Sequence, residues 1–244
     1  MKTLLRWGTT LGLIGTTTLI SWLGSLGKAV ALPTEEVVQI LQSVPVFTIV
    51  DSQGAPLVAV GENDTKVTGI FISQTEANNF FQQLKQQKPD VAARVSVQPV
   101  SLGEVFKLAQ TNAQKPDALN FAYVPIASEV QKAQQMSGSE FTGGVPLYVA
   151  RGGEQQGYLT IQQEDQQVIP FFFEESQIKE MVDRFKQEQP ELADSIVIDV
   201  ISMENVIGTL GNSDDAMLKQ IRIVPTKESM QFIRSITEEQ SSSQ

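Results

Sequence analysis

The apolar positions of this chain follow one pattern twice, at a spacing of 101 residues and without a gap. Thr34–Leu41 opens the chain with a short helical stripe of Val37, Val38, Ile40 and Leu41 behind Pro33. Val44–Val50 and Leu57–Val60 then read as β runs around an Asp51-Ser-Gln-Gly54 turn. Val67–Ile72 is a third strand. It feeds a helix from Gln74 to about Gln87, with Ala77, Phe80, Phe81 and Leu84 at helical spacing behind the capping sequence Ser73-Gln-Thr-Glu76. Pro89 restarts a short turn. Val95–Val100 is a strand, and Ser101-Leu-Gly-Glu104 opens another helix. Leu119–Val124 and Glu129–Met136 close the unit as strand and helix.

From Val145 the same series restarts: Val44–Phe106 lies on Val145–Ile207 with no insertion. Identities include Val44/Val145, Pro45/Pro146, Lys85/Lys186, Pro89/Pro190 and Ser101/Ser202, and the apolar positions stay in phase. Ile178, Met181, Val182 and Phe185 repeat the helical stripe, so both stripes are expected to be buried alike. The fold class expected is α/β, as two pseudo-symmetric repeats, each a mixed β-sheet packed with helices. The expected boundaries are a signal peptide at 1–31, repeats at 32–136 and 144–236, a linker at 137–143, and a disordered tail at 237–244.

The N-terminus has the make-up of an export signal. Lys2 and Arg6 precede the uncharged Trp7–Gly27, and Ala29-Val30-Ala31 is a small-residue cleavage site. Those 21 residues could instead span a bilayer as an uncleaved anchor. Only nine of them are large apolar residues, which favours cleavage. Losing Lys2, Arg6 and Lys28 leaves 15 basic against 28 acidic residues, a net charge of −13. Such a balance argues against nucleic acid and against anionic lipid headgroups.

Two absences remove chemistry. With no cysteine there is no disulfide, thiol nucleophile or thiolate metal site. With no histidine there is no Ser-His-Asp triad and no usual zinc site. The carboxylate pairs Glu174-Glu175 and Asp214-Asp215 sit at helix starts, where negative charge complements the backbone dipole. Arg151–Gly157 has three glycines but lacks the phosphate-loop lysine, and reads as a hairpin. No enzyme, metal or cofactor is expected.

Apolar excess is the remaining signal. Phe171, Phe172 and Phe173 align with Ile70, Phe71 and Ile72. Successive strand residues face opposite ways, so both faces of each strand need cover. These six residues are either core or the floor of an open hydrophobic groove, and the groove is the expected binding site.

The segments VPVFTIVDSQGAPLV, GIFISQTEANNFFQQLK, VSVQPVSLGEVFKLAQ, FAYVPIASEVQKA, GGVPLYVARG and IPFFFEESQIKEMVDRFK resemble the 22-kDa subunit family of the chloroplast inner-envelope translocon (Tic), in its cyanobacterial form. That resemblance implies a periplasmic or lumenal protein with two pseudo-symmetric halves and apolar grooves. It implies a chaperone-like role with unfolded precursor or outer-membrane proteins, during transport or outer-membrane biogenesis. An assembly or translocation machinery of the outer membrane would be the further partner. Two other functions stay open at this point: periplasmic small-ligand binding in the cleft between the repeats, and a hydrolase or isomerase using carboxylates.

Overall fold

The computed structural model describes residues 11–13, 32–61, 64–113, 115, 117–213 and 215–242. The expected signal at 1–31 lies outside them except for Leu11–Leu13. Those three residues form a strand, β1.

The first half runs α1 (Thr34–Gln42), β2 (Pro45–Asp51), β3 (Ala59–Val60), β4 (Lys66–Phe71), α2 (Gln74–Gln87), α3 (Pro89–Ala92), β5 (Val95–Ser101), α4 (Leu102–Asn112), β6 (Leu119–Val124) and α5 (Ala127–Ser137). The second runs β7 (Pro146–Gly152), β8 (Gly157–Gln163), β9 (Gln166–Phe172), α6 (Glu175–Glu188), a 3-10 segment at Pro190–Ser195, β10 (Val197–Ser202), α7 (Met203–Asn212), a second 3-10 segment, β11 (Ile221–Val224) and α8 (Lys227–Ser242). Pro45–Asp51 and Pro146–Gly152 are 101 residues apart at both ends, as are α2 and α6.

The pairings recur with the order. β2 is antiparallel to β5 as β7 is to β10, and β4 is parallel to β6 as β9 is to β11. Even single bonds return: Leu102 N donates to Val44 O, and Met203 N to Val145 O.

Strand alternation decides where the core lies. In β4 and the residue after it, Ile70 and Ile72 join one cluster while Phe71 turns to another. In β7, Leu147 and Val149 face one way, Tyr148 and Ala150 the other. The inward sets from both sheets meet in one shared core with α1, α4 and α7. The outward sets lie under α6 in the second half and under α2 and α8 in the first. The halves are therefore not independent bodies. α1 ties them further, since Lys219 pairs with Glu36 at 2.9 Å and Leu32 N donates to Ser213 O.

Helix starts follow the sequence with one change. The Ser73 hydroxyl accepts from Glu76 N at 3.1 Å, as a capping box requires. The Glu76 carboxylate does not reach back, and accepts instead from Ala127 N at the start of α5. Ser101 caps α4 through Gly103 N and also donates to Gln42 O, fastening α4 to the end of α1.

One expectation is corrected, and two further segments carry structure of their own. Leu57–Val60 starts a hairpin with β2, Leu57 N donating to Ile49 O, but its paired residues then belong to β4. The expected linker holds a 3-10 turn at Gly138–Glu140 and a buried Phe141. The tail is helical as far as Ser242, because Glu238, Glu239 and Gln240 are good helix formers with no breaker among them.

Two positions test this packing. A Cβ on Gly103 would lie 2.6 Å from the Val38 carbonyl oxygen, so only glycine lets α4 approach α1 this closely. Gly103→Ala is expected to cost at least 1 kcal/mol in chemical denaturation, as overpacking does. Gly208→Ala, on α7 with open space around its Cβ, is expected to gain up to about 1 kcal/mol from helix propensity. The buried hydroxyl of Thr68 has no hydrogen-bond partner. Thr68→Val is therefore expected to stabilise by about 1 kcal/mol in the same measurement.

Candidate functional site

The six residues expected to floor an open groove are all core. Ile70, Phe71, Ile72, Phe171, Phe172 and Phe173 are each less than 5 % exposed. Ile70, Ile72, Phe171 and Phe173 lie in the shared core, Phe172 faces α6, and Phe71 faces α2. The groove expectation fails for a physical reason: each strand has a layer on both sides, so no face of β4 or β9 is left open.

The accessible apolar surface lies one layer further out, and it is unequal in the two halves. On α6, Ile178, Met181, Val182 and Phe185 are all buried. On α2 only Ala77 is buried, and Phe80 is 43 % exposed while Phe81 and Leu84 are half-buried. The expectation of equal burial for the two stripes is therefore corrected.

Cover accounts for the difference. In the second half β8 supplies seven residues, and its Leu159 and Ile161 join the cluster under α6. In the first half the matching run bridges β2 at Pro56, and among the described residues its strand β3 is two residues long. Its Leu57 stays half-buried and Val58 is 40 % exposed. Phe47, Ile49, Phe71 and Ala77 are consequently flanked by half-buried Leu57, Phe81, Val95 and Val97. The Phe80 ring lies 5.4 Å from that of Phe71, and Lys85 Nζ sits 4.6 Å over the Phe81 ring. A cation over an aromatic face at a partly wet site is a weak, displaceable contact. This flank of the first half is the candidate site.

The titratable groups hold the two halves together. Glu129 of α5 is buried; its carboxylate accepts from Lys132 Nζ at 2.7 Å and from Glu175 N, at the start of α6, at 3.0 Å. Glu228 of α8 does the reverse, accepting from Thr75 N at the start of α2 at 2.9 Å. Each closing helix thus caps the main helix of the other half, where a carboxylate complements exposed N–H groups. Glu174 accepts from Lys227 N, and Glu175 pairs with Lys179. Asp215 caps the segment at Ala216–Gln220 through Met217 N. Asp214 lies outside the described residues. Arg151 and Asp199 form a bidentate ion pair between β7 and β10.

Hydrogen bonding to Glu129 raises the Lys132 pKa, and burial lowers that of Arg222. Among the described residues no cluster of acidic side chains could hold a metal ion. No described helix is long and apolar enough to cross a membrane.

The fold thus defined is mixed α/β, two sheets packed with helices around one shared core, with an apolar flank less covered in one half. The chain belongs to the Tic22-like family, which matches residues 11–235. Among solved structures it is similar to Anabaena Tic22 (protein transport), at 25% identity and a TM-score of 0.73, over 84% of this chain and 97% of that one. It also shares the fold of Tic22 from Plasmodium falciparum at 20% identity and a TM-score of 0.65, over 82% of this chain and 97% of that one. No curated protein matches it.

Nothing in the sequence distinguished the two flanks except Pro56 and the missing apolar alternation after it. The cross-caps were not foreseen, because a glutamate that caps a helix 46 or 153 residues away leaves no local spacing.

Two contrasts check this assignment. Phe171→Ala is expected to cost about 3–5 kcal/mol, as aromatic truncation in a core does, and Phe80→Ser under 1 kcal/mol, both by urea denaturation. Buried Tyr148 donates its hydroxyl to Glu129 O at 3.1 Å, and burial pushes its pKa up. Burial, with Glu204 nearby, pushes that of Tyr123 up to about 12. Both phenols hold protons in the folded state that the unfolded chain releases near pH 10. Stability is therefore complete below about pH 10 and falls as pH rises toward 12. Tyr148→Phe is expected to cost about 1–2 kcal/mol at neutral pH and to flatten that alkaline fall.

Proposed function

We propose that this protein works in protein transport as a non-enzymatic carrier outside the cytoplasm. It would hold unfolded precursor or outer-membrane proteins in a soluble state by their apolar side chains. One observation carries the reading: Phe80, Phe81 and Val58 are left partly exposed in the first half where Met181, Val182 and Leu159 are buried in the second. Family membership and the likeness to Anabaena Tic22 support the transport part of it.

The energetics suit such a carrier. Apolar area withdrawn from water contributes about 25 cal/mol per Å². A few hundred Å² of contact, less the costs of association, leaves weak and sequence-tolerant binding. Release then needs no ATP. The acidic surface keeps carrier and passenger complexes apart from one another and from anionic membranes. Lys85 marks the edge of the flank with one cation, which an entering apolar side chain can push off the Phe81 ring.

The test is suppression of aggregation of an unfolded outer-membrane barrel by the full chain. Phe80→Ser is expected to weaken suppression several-fold with little change in melting temperature. Unchanged suppression by Phe80→Ser, and by Phe80→Ser with Leu57→Ser, would remove the flank as the binding surface.

A further inference from the structure

The outer cluster of the first half takes part of its cover from the second. α8 lays Phe232 on Phe47 of β2, with ring centroids 5.4 Å apart in an edge-to-face arrangement. Phe47 is fully buried and Phe232 half-buried. Leu57, Phe81, Val95 and Val97 of the candidate flank pack on the same cluster. Phe232 therefore occupies one side of the surface that the flank leaves open on another.

α5 and α8 are held in different ways. Val124-Pro125 and Val224-Pro225 set the two helices at a spacing of 100, so Lys132 stands where Phe232 does and Ala133 where Ile233 does. α5 is locked by polar bonds. Tyr148, the counterpart of Phe47, donates its hydroxyl to the Glu129 backbone carbonyl, and the Glu129 carboxylate joins Lys132 to the start of α6. Ala133 is fully buried on the same helix. α8 is tied at its first turn, where Glu228 caps α2, Lys227 pairs with Glu180, and Ser229 N donates to Thr226 Oγ1. Beyond that turn Phe232 rests on Phe47 ring against ring, and Ile233 is 40 % exposed.

We infer that the seat of Phe232 on Phe47 is a subsite for an aromatic side chain of the passenger, filled by α8 until a passenger ring displaces it. Resting on the carrier reading above, this names the side chain that the site prefers. The resident ring shows what the seat accepts: an aromatic edge set against an aromatic face, which gains more than its area alone. The passenger chemistry that fits is an apolar segment carrying Phe or Tyr, as in barrel strands with their aromatic girdles. One ring replaces another, so the exchange is close to balanced. The first-turn bonds of α8 stay in place and return Phe232 to its seat on release. With no passenger bound, the carrier covers Phe47 with its own residue and exposes less apolar surface.

The experiment uses the full chain and a fluorescent ten-residue peptide of Ser and Val with one central Phe, beside the same peptide with Ser at that position. Phe232→Ala and Phe232→Gln remove the competing ring and put a good helix former in its place. Melting temperature shows that each variant is folded. A seat blocked most of the time weakens apparent binding by its vacant fraction, so the variants are expected to bind the Phe peptide about fivefold tighter than the wild-type chain does. The Ser peptide is expected to gain less than about twofold, since it has no ring to seat. Saturating the wild-type chain with the Phe peptide should speed hydrogen exchange in α8 after Met230 and leave α5 unchanged. That measurement needs no variant, so it decides the matter even where both substitutions impair folding. Equal binding of the Phe peptide to wild type and both variants, an equal gain for both peptides, unchanged exchange in α8 on saturation, or dimerisation of the variants in place of peptide binding would overturn the proposal. If Phe80→Ser still weakens suppression of barrel aggregation in those cases, the carrier reading stands on the flank and only this subsite falls.

Discussion

The strands β2, β4, β7 and β9 alternate their large side chains between a shared core and an outer layer, and that constraint organises the rest. Phe171 and Phe173 point inward while Phe172 points outward, and Ile70, Phe71 and Ile72 do the same. A single strand therefore commits the chain to covering two surfaces. The inward surfaces cover each other across the halves, with α1, α4 and α7 completing the layer. The outward surfaces need helices. Those helices need their N-terminal N–H groups satisfied, and the chain supplies the acceptors from opposite halves, through Glu129 and Glu228. Sharing the core and exchanging the caps make one cooperative body from two copies of a unit too small to be very stable alone.

This arrangement lets stability and exposed apolar surface coexist without disulfides. The core is held by packing alone, and it is held by both halves at once, so one flank can be left thin. In the second half β8 and α6 bury the apolar residues they bring to the outer cluster. In the first, Pro56 and the shortened β3 leave it half-covered. Divergence between the copies, rather than any new motif, made the difference: Leu159, Met181 and Val182 are buried where Val58, Phe80 and Phe81 are not.

Much of the architecture was legible because it is periodic. The alternation of strands, the stripes of α2 and α6, the serine caps and the fixed spacing of 101 residues all appear as local patterns, and the observed elements share that spacing. Family resemblance was legible for the same reason, in whole segments. The site was legible only in part. Phe171, Phe172 and Phe173 were rightly singled out as needing cover on both faces, but a periodic pattern does not say which face finds it. The exposed residues proved to be their neighbours on α2, whose helical stripe is as regular as that of α6. Burial there is decided by the length of a distant strand and not by the stripe itself. The helical tail was misread for a related reason, since composition alone does not show where a helix that has already begun will stop.

On the proposed carrier reading, the difference between the two halves also bears on how such a protein would be tolerant without being sticky. An apolar surface open on both halves would invite self-association between identical molecules, since each patch would find its match on a neighbour. Closing one copy halves that opportunity. The net negative charge, concentrated on helix faces and turns, adds repulsion between carriers at distances near the Debye length. An unfolded passenger is not repelled equally, because an extended chain can bring a neutral apolar stretch to the flank while its own charges stay in solvent. Under that proposal side chains would be met at Phe80 and its neighbours by area alone. Selectivity for unfolded over folded protein follows from geometry: only an extended chain offers contiguous apolar side chains that a folded protein has already buried.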